Sequence, residues 1–187
     1  MIPIKNKKKT LEATVEEMRN FSLAYIDKYA PSKQQLRIYL LKKYIKTKIP
    51  NINKKNISDL IDVVMKDLEE LNFINDKFYS NTKAKKLIQK GSSINKIRNY
   101  LLSKGIKNQY IKETIDKIKE NNQDQDFFSA IKICKKKRIG PSREENNRNL
   151  FYRKDLGILA RSGFDFEVSK KILNLDKDEY LKIIRLL

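Results

Sequence analysis

Histidine and tryptophan are absent from the 187 residues, cysteine occurs once, at Cys134, and glycine and proline number only five and four. Without histidine there is no imidazole base, and with one cysteine there is neither a disulfide framework nor a thiolate zinc site. A serine–histidine or cysteine–histidine nucleophilic pair is excluded on the same ground. Long apolar runs are also missing: a charge or an amide interrupts every few positions, well short of the roughly 18 residues of a membrane span. The opening residues, MIPIKNKKKT, carry the cations of a secretory leader but no apolar segment behind them, so no signal peptide is expected. A soluble, cytoplasmic chain without membrane association and without a cofactor is the expectation, and the lone thiol fits a reducing compartment.

Negative charge is the other scarcity. Asp and Glu total 23 against 42 Lys and Arg, a formal charge of +19. Such an excess points to a polyanionic partner. An AT-rich genome also enriches lysine, isoleucine and asparagine, so where the cations lie carries more weight than how many there are. Residues 1–31 carry +2, 32–74 carry +4, 75–123 carry +8 and 124–187 carry +5. The third of these segments is the most cationic.

What is present is helical periodicity. Leu36, Tyr39, Leu40 and Tyr44 recur at three- and four-residue spacing behind a Pro31-Ser32 start, and the helix they predict ends near Ile45. After the Pro50 loop, Leu60, Ile61, Val64, Leu68 and Leu71 form a second stripe, with Asn56 or Ser58 as its cap and Asn72 as its stop. Further helices are predicted from Asp76 to Gly91, from Ser92 or Ser93 to Gly105, and through Ile111, Ile115 and Ile118. Others run through Phe127 to Cys134, from Asn147 to Ser162, and through Val168 to Leu175, with a terminal helical turn over Tyr180 to Leu187. No segment alternates with period two, so no sheet is expected.

The chain also matches itself. Residues 32–45 align with 93–106 without a gap at an offset of 61, and Ser, Arg, Tyr, Leu, Leu and Lys coincide; a weaker third copy ends in Ile158 to Phe164. The predicted fold is therefore all-α, built from tandem three-helix repeats that form an elongated, curved molecule. Its divisions are an N-terminal extension and first helix at 1–31, the remainder of repeat one at 32–74, repeat two at 75–123 and repeat three at 124–187.

Three segments carry a family resemblance: Leu68-Glu69-Glu70-Leu71-Asn72-Phe73-Ile74-Asn75-Asp76-Lys77-Phe78, Tyr100-Leu101-Leu102-Ser103-Lys104-Gly105-Ile106, and Leu159-Ala160-Arg161-Ser162-Gly163-Phe164. Their order and spacing resemble the RecX family, regulators of the RecA recombinase, over roughly Ser32 to Leu175. The pattern departs from the family where Asn72 and Tyr44 stand for Gly and Ser162 for a basic residue. The resemblance implies a non-enzymatic protein that binds RecA and its filament on single-stranded DNA. It further implies inhibition of recombinase, ATPase and co-protease activities, with a place in DNA repair and SOS regulation. The alternative is a general DNA-binding helical module, a helix-turn-helix-like regulator or architectural protein acting on duplex DNA. A monomer is expected in either case.

The candidate contacts with filament or DNA are cations and one ring. Lys96, Tyr100 and Lys104 lie at i, i+4 and i+8, on one helical stripe. Arg37 and Arg98 occupy the same register, fitting either a shared contact or a salt bridge. Tyr39 and Tyr100 suit base stacking with Lys43 and Lys104 on phosphate, or else the closing edge of a core. Lys135, Lys136, Lys137 and Arg138 form a basic run before the Gly140-Pro141 break, followed by Arg143, Arg148 and Arg153 and read as exposed, and Arg161 joins the candidate contacts. Acidic pairs such as Glu69-Glu70 and Glu144-Glu145 point in different directions along a helix, so they read as counter-charges rather than metal ligands. Cys134 lies on an apolar stripe with Phe127, Ala130 and Ile131 and reads as a small buried hydrophobe.

Overall fold

A computed structural model describes residues 11–46 and 53–187; the basic start of the chain and the Pro50 loop lie outside the described residues. The chain divides into two compact units, Met1–Asp76 and Lys77–Leu187. Every regular element among the described residues is helical, with no strand. None of these helices is long and apolar enough to cross a membrane.

The first unit is built from α1 (Val15–Tyr29), α2 (Lys33–Lys46) and α3 (Lys54–Glu70). Their apolar stripes meet in one core: Met18 of α1, Leu36, Leu40 and Tyr44 of α2, and Ile57, Ile61, Val64, Met65 and Leu68 of α3, closed below by Ile74. Ser32 starts α2 through a reciprocal cap, its hydroxyl accepting from the Gln35 N–H while the Gln35 side chain accepts from the Ser32 N–H. The cap of α3 is Asn53, whose side chain accepts from the Asn56 N–H at 2.8 Å. Neither Asn56 nor Ser58 has that role: the helix begins one turn earlier than its apolar stripe suggests, because its first residues, Lys54 and Lys55, face solvent. At the other end Asn72 adopts the left-handed conformation (φ 57°), which lets Phe73 donate to the Leu68 carbonyl at 2.9 Å.

The second unit holds two cores. α4 (Asp76–Gln89), α5 (Ile94–Ser103) and α6 (Asn108–Asn121) enclose Tyr79, Ala84, Ile97, Leu101, Ile111 and Ile115 among others. α7 (Gln125–Lys137), a 3-10 turn at Gly140–Ser142, α8 (Glu145–Arg161), α9 (Phe166–Leu173) and α10 (Lys177–Arg185) enclose Ala130, Ile131, Cys134, Ile139, Leu159, Ile172, Leu173 and Tyr180. The C-terminal turn expected after Tyr180 is a nine-residue helix, capped by the Asp176 carboxylate accepting from the Glu179 N–H at 2.8 Å.

Corresponding positions are buried in the first two helix groups. Ser32, Leu36 and Leu40 match Ser93, Ile97 and Leu101 at an offset of 61, while Ile57, Ile61 and Val64 match Ile111, Ile115 and Ile118 at an offset of 54. The drop of seven in the offset has two parts: α5 is four residues shorter than α2, and the α5–α6 connection, from Lys104 to Lys107, is three residues shorter than the seven between α2 and α3.

Within the second unit, α5 is locked end to end against α8. The Ser93 hydroxyl accepts from the Lys96 N–H at 3.1 Å and donates to the Ser162 carbonyl at 3.0 Å. The N-terminal, partially positive end of α5 thus meets the carbonyl-rich end of α8. Beside it the Ile94 N–H donates to the Asp126 carboxylate of α7 at 2.7 Å. Gly163 (φ +89°) permits this approach: a Cβ there would stand 2.5 Å from the Ser93 hydroxyl oxygen.

Candidate functional site

The stripe on α5 is present as spaced. Lys96 is exposed, Tyr100 is half-buried, and Lys104, which caps the helix, holds its Nζ 5.3 Å from the centre of the Tyr100 ring. The Tyr100 hydroxyl lies 3.4 Å from that of Tyr79, so the ring closes the α4–α5 side of its core while keeping one face under a cation. Tyr39 is packed more tightly: it stacks on Tyr25 of α1 with ring centres 4.0 Å apart, and burial raises its pKa above the ordinary phenol value. Its neighbour Lys43 places Nζ 3.6 Å from the centre of the Phe21 ring. Both tyrosines therefore take part in packing, whatever else they touch.

Arg37 and Arg98 share a register but not an environment. Arg37 is ion-paired with Asp62 and donates to the Ser58 hydroxyl at 3.2 Å. Arg98 is exposed on α5 and lines a cleft against α6.

In the third core the basic run Lys135–Lys137 is the last turn of α7, and Arg138 (φ 53°) follows as its left-handed cap, all four side chains exposed. Cations at a helix C-terminus are favoured by the helix dipole, so this placement has a folding reason as well as a surface charge. Arg153 and Arg161 are exposed on α8. Lys96, in the first turn of α5, packs its backbone and Cβ against the Gly163 turn that follows α8, whereas the Arg161 guanidinium lies back along α8 over Gly157. Arg148 is turned inward, its side chain 13% exposed, donating to the Leu173 and Leu175 carbonyls and pairing with Glu145. It closes the end of α9.

Arg143, expected exposed with the basic run, is instead drawn into a largely buried ion pair with Asp155. Asp155, 1% exposed, accepts from the Gly140 N–H at 2.8 Å and from two nitrogens of Arg143 at 2.7 and 2.8 Å. Burial opposes ionisation of this carboxyl, but the Arg143 and Gly140 hydrogen bonds outweigh it and hold its pKa below the ordinary carboxylate value. Cys134 is fully buried, and desolvation, with the nearby Asp155 charge, pushes its thiol up to about 12. Among the described residues no group of three or more Cys, Asp or Glu is placed to hold a metal ion.

Cations that sequence reading passed over include Lys112 and Lys119, which line a cleft with Arg98 at the α5–α6 face, Lys107, the N-cap of α6, and Lys132, against which the Gly91 turn packs. Aligning α3 with α6 at an offset of 54 would have found the first three.

An all-α protein with cations gathered at helix ends and helix junctions is thus the class that fold and surface define. Its relatives narrow this. The chain is 28% identical over 165 residues to the Regulatory protein RecX of Myxococcus xanthus, covering 84% of each chain. It is 28% identical over 145 residues to the Regulatory protein RecX of Clostridioides difficile, spanning 74% of this chain and 63% of that one. It is equally identical over 145 residues to that of Clostridium botulinum, spanning 75% and 66%. No family model and no solved structure matches the chain. Over most of its length the chain is thus similar to regulatory proteins named RecX.

Proposed function

We propose that this protein regulates a RecA recombinase by binding RecA and its filament on single-stranded DNA, as a cytoplasmic monomer, and that it lowers strand exchange, ATP hydrolysis and co-protease activity in DNA repair and the SOS response. The observation that carries the reading is the similarity, over 74–84% of the chain, to three proteins named for regulation. Charge supports it: the segment 75–123 holds twelve Lys and Arg against four Asp and Glu. A polyanionic filament draws such a surface in, and each phosphate neutralised lowers the logarithm of affinity by roughly 0.7–0.9 per decade of salt. Selection of the filament over bare DNA comes from shape and protein contacts, because charge reads no sequence.

The mechanism needs no chemistry from the regulator. A ligand that spans protomers and prefers one filament geometry shifts the population away from the cycling state, and turnover falls with it. The same reading takes the chain as tandem helix triplets divided at 32–74, 75–123 and 124–187 and stacked into an elongated, curved molecule, which small-angle scattering tests. The contact set is Arg37, Lys43, Lys96, Arg98, Tyr100, Lys104, Lys135 to Arg138, Arg153 and Arg161. Arg148 belongs to it only through whatever part of its guanidinium remains after its bonds within the fold.

The test is DNA-dependent ATP hydrolysis by RecA with this protein at substoichiometric ratio and saturating competitor duplex DNA. Persistent inhibition is expected; inhibition abolished by competitor would mean that the protein only sequesters DNA. Charge reversal at Lys104 and at Lys135 to Arg138 should weaken inhibition and flatten its salt dependence at unchanged helix content.

A further inference from the structure

Between α5 and α6 lies a cleft of about 390 Å³, walled by Arg98, Asn108, Lys112, Asp116 and Lys119 over a floor of isoleucine side chains. Its counterpart in the first helix group shows what is unusual about it. There, in register, stand Arg37, Lys54, Ser58, Asp62 and Met65, and the arginine is already satisfied: Asp62 takes its charge and Ser58 a further N–H. In the second group the aspartate is retained as Asp116, but Ser58 has become Lys112 and Met65 has become Lys119. Arg98 makes no ion pair with Asp116, although both line the same cleft. The formal charge of the five wall positions rises from +1, with its arginine quenched, to +2, with its arginine open.

This is not a general rise in charge along the helix. Lys54 and Lys55, which open α3, become Asn108 and Gln109 in α6, while the N-cap changes from Asn53 to Lys107. The second group has exchanged an internal ion pair for three cations and an amide converging on one concave surface. Like charges held this close repel one another, a cost that a multivalent anion removes on binding. A guanidinium with its planar fork of donors flanked by two ammonium groups matches the oxygens of a phosphate.

We infer that the α5–α6 cleft is a phosphate-binding site, taking a phosphodiester of a single nucleic-acid strand or the phosphates of a free nucleotide. It names a ligand contact within the reading above, but the test needs no recombinase. The full chain is titrated at low salt with a single-stranded oligonucleotide and, separately, with a nucleoside triphosphate, following the amide signals of α6 by NMR. K112S and K119M restore the residues of the first group, R98K keeps the charge but removes the fork, and K170S on α9 removes an equal charge elsewhere.

Each cleft variant should weaken binding of at least one ligand about three- to fivefold. For the oligonucleotide, K112S and K119M should also lower the salt slope by about 0.7–0.9, which K170S should not match. Shifts of α6 with the oligonucleotide alone identify a strand phosphate, and with both ligands a general phosphate site; either supports the cleft. Cleft variants that bind no more weakly than K170S, or ligands that leave α6 unshifted, overturn it. RecA inhibition measured in parallel separates the two ideas. Loss of oligonucleotide binding in K112S, with no inhibition by the unaltered protein, keeps the cleft and removes the functional reading. Intact inhibition with insensitive binding does the reverse.

Discussion

Replacing Asp155 probes the most deeply buried ion pair of the second unit. The carboxylate is 1% exposed and takes three hydrogen bonds, one from the Gly140 N–H and two from Arg143. Truncation in D155A leaves the Gly140 N–H buried without an acceptor, a loss of about 1–3 kcal/mol, and leaves a guanidinium without its counter-ion. Breaking a buried pair from one side costs about 3–5 kcal/mol. Arg143 is 21% exposed and can turn partly to water, so D155A should fall near the lower end, about 3 kcal/mol. D155N keeps an oxygen for Gly140 but loses the charge, and should cost about half as much.

Urea unfolding followed by far-UV circular dichroism reads both values. The pH dependence supplies a second check. Because the folded carboxyl has a lowered pKa, its contribution is present above the ordinary carboxylate value of about 3.9 and is lost as pH falls through the folded value. The gap between the unaltered protein and D155N should therefore be full at pH 6 and close in acid. Equal stability of D155N and the unaltered protein at pH 6, or a gap that widens in acid, would refute the assignment.

Two glycines should respond in opposite directions. G163A forces an alanine into φ +89° and drives a methyl to 2.5 Å from the Ser93 hydroxyl oxygen, so a loss of about 2 kcal/mol or more is expected. G157A lies inside α8, where the added Cβ meets only the mobile Arg161 guanidinium at 3.3 Å, and should gain up to about 1 kcal/mol. Thermal unfolding of the two variants checks the signs. The Cys134 thiol, buried and pushed up to about 12, should resist a disulfide reagent at pH 8 until denaturant is added; rapid labelling of the native protein would contradict its burial.

Much of the fold is legible from residues that have few alternatives. Asn72, Gly91, Gly105 and Gly163 all take positive φ and all end helices, which is why so few glycines suffice to punctuate the described chain. Ser32, Ser93 and Asp76 mark helix starts where expected, since a short polar side chain before an apolar stripe has few other uses. Two starts were misread for one reason. Behind Asn53 and from Glu145, the first three helical residues all face solvent, so the apolar period begins only after the helix has begun. The last helix was read short because Leu181, Leu186 and Leu187 are exposed and blur the stripe of Tyr180, Ile183 and Ile184.

The charged surface is harder to read than the core, and Arg37, Arg98 and Arg148 show why. All three are arginines on predicted helices, and nothing local distinguishes them. Arg37 is neutralised by an aspartate 25 residues on, Arg148 pairs with Glu145 and is turned inward by carbonyls 25 and 27 residues on, and Arg98 has neither kind of partner among the ion pairs and hydrogen bonds of the described residues. Whether a cation is free is a property of its neighbours in space, and most of those neighbours lie far off in sequence. Self-alignment recovers part of this, since the matched serine and arginine of α2 and α5 share an offset of 61. But that offset misplaces the following helix by seven residues, and Lys112 then falls opposite Asn51 instead of Ser58. Only once Ile57, Ile61 and Val64 are seen buried as Ile111, Ile115 and Ile118 does the correct offset of 54 emerge. Lys107, the N-cap of α6, and Lys112 and Lys119 within it then read as replacements of an asparagine, a serine and a methionine. Lys119 lies in the last turn of α6, where the helix dipole favours a cation, but Lys112 replaces a hydroxyl nearer the helix start with no such gain, and beside an arginine without an ion pair its charge fits an anion from outside.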